Sequence, residues 1–172
     1  MHPTLTVQAQ TTVRPWPEPP GRPEAGHDPR STYVERFWIS TLGPSATWIV
    51  RRFADRFDAE PDGFSIDLDE LASSIGMSYA KREESPFGRA LHRCAMFGLV
   101  RLGRDGLEVR RRIPDLPERQ LRRLPEVLRR VHAEWTEHTW SFDTNDLRTR
   151  LIAAGVDSRR ASIAAESVTL TN

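Results

Sequence analysis

The stretch "SPFGRALHRCAMFGLVRLGRDGLEVRRRIP", residues 85–114, decides how this chain is read. It carries seven arginines and two acidic residues, Asp105 and Glu108, yet its apolar residues are regularly spaced. Ser85 and Pro86 have the chemistry of a helix N-cap and a first helical turn. Phe87, Ala90, Leu91, Cys94 and Phe97 then fall on one side of a helix, and Gly98 ends it. The remainder reads as a β-hairpin, with strands over residues 99–102 and 107–113 and a turn over residues 103–106. Asp105-Gly106 is a strong local turn signal, and Pro114 stops the second strand.

Working back from this block, the sequence predicts three helices and one short strand. Thr32 and Glu35 have capping-box spacing, and Gly43 closes the helix that carries Tyr33, Phe37, Trp38 and Leu42. Pro44 opens the next helix, whose core face is Ile49, Val50, Phe53 and Phe57. "PDG" turns the chain, and Phe64 and Ile66 alternate with polar residues as in a short strand. Asp67 and Glu70 repeat the capping-box pattern ahead of Leu68, Leu71, Ala72 and Ile75, and Gly76 stops that helix. Residues 1–31 hold seven of the 13 prolines and no helical or strand periodicity. They read as a disordered tail, partly polyproline II, with Pro17 and Pro20 a weak PxxP pair. Such a tail buries little apolar surface, so removing it is expected to leave the melting temperature nearly unchanged.

The element order over residues 44–113 resembles the winged helix-turn-helix DNA-binding superfamily. The arrangement around "LDELASSIGM", "SPFGRALHRCAMFGLVRL" and "GLEVRRR" is similar to winged-helix regions of uncharacterised actinobacterial proteins. The connection between residues 76 and 85 is longer than the tight turn of the simplest members. The resemblance implies a mainly α protein with a small β-hairpin, an α+β class, with a winged helix-turn-helix core flanked by additional helices. Its domains would be the tail over 1–31, the winged helix with an N-terminal helix over 32–113, a helical extension over 114–139, and a C-terminal helical hairpin or tail over 140–172. It further implies that residues 85–97 are a recognition helix for the major groove of double-stranded DNA and residues 99–113 a wing on the phosphates.

Charge supports a polyanion partner. The 172 residues carry a net charge of +1, but residues 80–130 alone hold 14 basic and seven acidic residues, a local +7. The expected DNA-binding residues are Arg89, His92 and Arg93 on the helix and Arg101, Arg104, Arg110 and Arg112 on the hairpin. Strand alternation would put Arg110 and Arg112 on one face and Arg111 on the other. Arg119, Arg122, Arg123, Arg129 and Arg130 extend the basic run at helical spacing, where solvation of an amphipathic helix is the favoured reading over nucleic-acid contact.

Enzyme chemistry finds no support in the sequence, and neither a catalytic residue, a metal ligand set nor a cofactor is expected. His92 and Cys94 diverge on a helix, and His132 and His138 do not share a face. Asp67, Asp69 and Glu70 are helix-start acids, and there is no phosphate-binding glycine loop or nucleophile elbow. One cysteine suits a reducing cytoplasm, and no apolar run approaches a membrane span. The leading expectation is a DNA-binding transcriptional regulator or a replication or partition accessory factor. The alternative is a winged-helix protein–protein module whose basic block meets an acidic partner, which exposure of Trp135 and Trp140 would favour.

Overall fold

Where the proline-rich start of the chain predicts no regular structure, a strand forms instead: β1, Gln10–Pro15. The computed structural model describes residues 7–17, 25–153, 155, 157–160 and 162–163. Pro20 of the PxxP pair lies outside them. The chain divides into two compact units, residues 1–123 and 124–172.

The helices of the first unit begin where capping chemistry places them. Helix α1 covers residues 32–42, with a π-type turn over Val34–Trp38. Ser31 rather than Thr32 caps it, its carbonyl accepting from the Glu35 N–H at 3.1 Å. Helix α2, Pro44–Ala59, buries Ile49, Val50, Phe53 and Phe57. Strand β2, Phe64–Asp67, leads directly into α3, Leu68–Ser74, because Asp67 Oδ1 accepts from the N–H groups of Asp69 and Glu70 at 2.8 and 3.2 Å. A 3₁₀ turn at Arg82–Glu84 precedes α4, Pro86–Met96. The Ser85 hydroxyl caps α4 through the Gly88 N–H at 2.9 Å. Strands β3, Val100–Leu102, and β4, Gly106–Val109, make the hairpin, and a short helix α5, Glu118–Leu121, follows.

The four strands form one mixed sheet in the order β2-β1-β4-β3. Strand β1 runs antiparallel to β2 and parallel to β4, so it joins β2 to the hairpin. Val13 stands level with Phe64 and Leu107, and all three are buried in one row of the core. Pro15 is tolerated because it is the last strand residue, where a missing N–H costs least. One residue on, the Trp16 N–H resumes the ladder on the Val109 carbonyl at 2.8 Å. Gly106 permits the closest approach of this parallel pair. Its φ is +144°, and a Cβ there would collide with the Thr12 carbonyl oxygen.

A second fastening holds residues 25–31. His27 and Ile113 exchange backbone hydrogen bonds of 2.7 and 2.8 Å. The His27 ring stacks on Tyr33 at 3.6 Å between centroids, and the Tyr33 hydroxyl accepts from the Leu116 N–H at 2.9 Å. The expected disordered tail over 1–31 is therefore corrected for residues 7–17 and 25–31. The second hairpin strand is also shorter than predicted, ending at Val109 rather than 113. The chain bends at Arg111 and Arg112 so that Ile113 can pair with His27.

In the second unit, helix α6 runs without a break over Glu126–Ala153. That overrides the boundary expected between 139 and 140, because no proline or glycine interrupts the chain between Pro125 and Gly155. The expected C-terminal hairpin lies partly outside the described residues. Helices and a small mixed sheet make this an α+β fold. No helix among the described residues is long and apolar enough to cross a membrane.

Because β1 is central, deleting residues 1–17 is expected to abolish cooperative thermal unfolding rather than leave it unchanged. Val13→Asp, which puts a carboxylate in the buried row, should lower Tm by about 10 °C or more. Circular dichroism melts of the two variants check this. A parent-like melt from the deletion would return β1 to the status of an appendage.

Candidate nucleic-acid interface

Helix α4 is two-sided. Phe87, Ala90, Leu91 and Cys94 are buried, while Pro86, Arg89, Arg93 and Met96 form one exposed stripe at intervals of three and four residues. Gly88 seats the helix against the 3₁₀ turn, since a Cβ there would collide with the Arg82 carbonyl. The two stripe arginines are fixed by neutral groups. Arg89 donates to the Glu84 carbonyl. Arg93 donates through Nε and Nη2 to the Thr41 carbonyl at the end of α1, at 3.2 and 2.7 Å. Carbonyls at a helix C-terminus attract a cation but do not cancel its charge. Among the described residues neither guanidinium meets a carboxylate. His92 lies beside the stripe, half-buried, with its Nδ1 buried and unpartnered.

The hairpin arginines divide between two surfaces. Arg101 and Arg110 both lie over the indole of Trp16, 4.1 and 4.6 Å from its centroid. Arg101 also pairs with Glu108, and Arg110 Nε donates to the Gly98 carbonyl at 3.0 Å. Arg104 is exposed in the turn and has no ion-pair partner among the described residues. The neighbouring Asp105 lies 3.7 Å from Arg14.

Arg112 goes elsewhere. With Arg111 it lines a cleft of about 110 Å³ that also holds Asp28, Arg30 and Asp58. Arg30 there pairs with Asp28 at 2.9 Å, with Asp55 at 3.2 Å, and with Asp58. The Arg30 hydrogen bond holds the Asp28 carboxyl below the usual carboxylate range, against the opposing effect of burial. The Asp58 carboxyl is lowered for the same first reason. The expected pairing of Arg110 with Arg112 on one strand face therefore fails, because the strand has already ended and the backbone bends between them.

The structure thus brings together Arg89, His92 and Arg93 on one helix, joins Arg101 to Arg110 through Trp16, leaves Arg104 at the turn, and sends Arg112 to an acidic cluster. Sequence reading missed Trp16 and Arg14. The available signal was the period-two spacing of Thr12, Arg14 and Trp16, obscured by the surrounding prolines. Of the distal basic run, Arg122 pairs with Glu118, and Arg129 and Arg130 are exposed on α6. Trp135 is half-buried, and the side chains of His138 and Trp140 lie outside the described residues. No group of three metal-ligating side chains occurs among the described residues.

Cys94 is fully buried with its Sγ 3.6 Å from the Ala46 carbonyl, and burial pushes its thiol up to about 12. The thiol stays protonated at neutral pH, so the folded chain should resist iodoacetamide at pH 8 and react only when unfolded. Mass spectrometry of treated samples reads this; alkylation of the native chain would contradict the buried position. The Asp28 and Asp58 carboxyls are lowered on folding, so their contribution is present above the unfolded value near 3.9 and disappears as pH falls through their folded values. Arg30→Ala should therefore show a smaller loss of stability between pH 5 and 2 than the parent, and parallel curves would exclude that linkage.

No protein family, curated protein or solved structure matches this chain, so its function is to be read from its own residues.

Proposed function

We propose that residues 44–113 act as a winged helix-turn-helix that binds double-stranded DNA in a cytoplasmic regulator or replication accessory factor. The order of α2, β2, α3, α4 and the β3–β4 hairpin supports this reading. The observation that carries it is the exposed stripe of α4, where Arg89 and Arg93 make no ion pair among the described residues. A helix presenting guanidinium groups fits the major groove, where each can exchange its carbonyl for the O6 and N7 acceptors of guanine. Arg104 at the hairpin turn would meet a phosphate. Arg112 takes no part, because it faces the Asp28 cluster.

A second reading, docking of an acidic protein, draws on the apolar side chains exposed beside arginines. Met96 is 54% exposed next to Arg93 on the stripe, and Trp48 is 50% exposed with Arg51 and Arg52 against its ring.

Binding to a random duplex pool, measured from low to physiological salt, separates the two. Affinity should fall steeply with salt as condensed counterions are released, and Arg104→Ala should shallow the slope by about one unit. Arg89→Ala or Arg93→Ala should cost about 1–3 kcal/mol on a preferred site selected from the pool and little on random duplex. Arg112→Ala should bind as the parent does. Absence of duplex binding even at low salt overturns the DNA reading in favour of the protein partner.

A further inference from the structure

The solvent face of the sheet is distinct from the α4 stripe and carries its own pattern. Alternation puts Val13, Phe64, Leu107 and Val109 on the core side. The other side therefore carries Thr12, Arg14, Ser65, Arg101 and Glu108, with Arg14 level with Glu108 and Glu108 level with Arg101. Trp16 joins this face, as its contacts with Arg101 and Arg110 show. Among the described residues near the indole and the hairpin turn, Arg14 pairs with Asp105 and Arg101 with Glu108, and Arg104 and Arg110 add two further cations. Asp67, at the far end, is already engaged by the α3 N-terminus and by Gln10 Nε2 at 2.7 Å.

Beside this row lies an open polar groove of about 570 Å³. Gln10, Thr12, Ser65, Gly103, Arg104 and Gly106 are among the residues that line it. Its size falls within the range of sites that hold a small organic ligand. The Gln10 amide, the Thr12 and Ser65 hydroxyls, a backbone opened by two glycines, and Arg104 can meet a sugar-phosphate chain, while Asp105, Val7 and Leu102 complete the lining.

We propose that this sheet face is a second nucleic-acid surface and that it takes a single strand. An indole offers a π-face to any base, and a guanidinium already lying on it marks where a planar cation or a base can stack. A base entering over Trp16 displaces Arg101 or Arg110 from the ring, and the displaced guanidinium, held nearby by Glu108 or by the Gly98 carbonyl, lies beside the adjoining phosphate. The chain then continues past Arg14 into the groove at Thr12 and Arg104. A duplex cannot use the indole in this way, because its bases are stacked on one another. The strand β1, which supplies Trp16, Arg14 and Thr12, is thus a binding element as well as a structural one. This surface shares Arg104 with the proposed duplex contact and is otherwise separate from the α4 stripe.

The test uses the full chain and two fluorescent probes, a 12-nucleotide oligothymidine and a 12-base-pair duplex, read by anisotropy at low salt. The oligothymidine should bind. Trp16→Ala should weaken that binding about tenfold, the scale of one lost base stack, while Trp16→Phe keeps most of it. Arg14→Glu, a charge reversal at an exposed position whose folding a circular dichroism melt checks, should weaken it at least as much. Arg89→Ala should leave oligothymidine binding unchanged and reduce binding to the duplex when that duplex carries the preferred site selected from the random pool. If Trp16→Ala fails to fold, Arg14→Glu still decides the matter. The proposal is overturned if oligothymidine does not bind the parent, or if Arg14→Glu binds it as tightly as the parent does. Loss of duplex binding alone would count against α4 as a DNA reader and leave this surface standing.

Discussion

The parallel pairing of β1 with β4 is the constraint on which the first unit depends. Removing β1 would leave β2 without a neighbour in the sheet and deprive β4 of its bonds on one side. Short strands cannot sustain a sheet by side-chain contact alone, and β2, β3 and β4 have only four, three and four residues. The six-residue β1 bonds both central edges at once. Parallel pairing needs a long connection, and residues 16–105 provide it, carrying α1 to α4 between the two paired strands. The helices thus lie within the loop that the sheet closes. That arrangement places contacts of high sequence separation at the centre of the fold and makes its formation slow compared with a helical bundle.

What was legible in the sequence was local. Ser85, Asp67, Pro44 and Gly43 each announce a helix boundary through chemistry confined to three or four residues, and each does what its chemistry requires. Phe53, Phe57, Phe87 and Leu91 repeat at helical spacing, and all are buried. What was not legible is β1, for a physical reason. Its burial pattern has one fully buried side chain, Val13, because the other side of the strand faces solvent and its neighbours in the core row come from β2 and β4. A strand held mainly by backbone bonds leaves almost no hydrophobic signature. The prolines on either side then suggest disorder, although Pro15 merely ends the ladder.

The basic block shows why a local charge excess does not locate an interface. Six of the seven arginines within residues 85–114 are expected from the sequence to share one polyanion-binding surface. Folding distributes them by what lies within reach of each Cα. Arg93 finds the open carbonyl end of α1, Arg101 and Arg110 find an indole delivered by a distant strand, and Arg111 and Arg112 turn towards carboxylates. The bend that separates Arg110 from Arg112 exists because Ile113 must reach His27. A backbone pairing with the supposed tail thus decides which side chains of the basic block share a face.

The same reasoning fixes what each arginine can offer a ligand. A guanidinium paired with a carboxylate must surrender a charge-assisted bond before it can bind a phosphate, and it leaves a carboxylate repelling the newcomer. One bonded to a carbonyl or resting on an indole leaves only a neutral group behind, which water or a base can satisfy. By that criterion Arg89 and Arg93 are more available than Arg112, although all three are exposed. Arg101 is intermediate, since Glu108 already holds it. Availability to an anion is therefore set by the sign of the partner left behind rather than by exposure alone. That criterion favours the α4 stripe over the Asp28 cleft, and on the Trp16 face it favours Arg104 over Arg14 and Arg101, which Asp105 and Glu108 already hold.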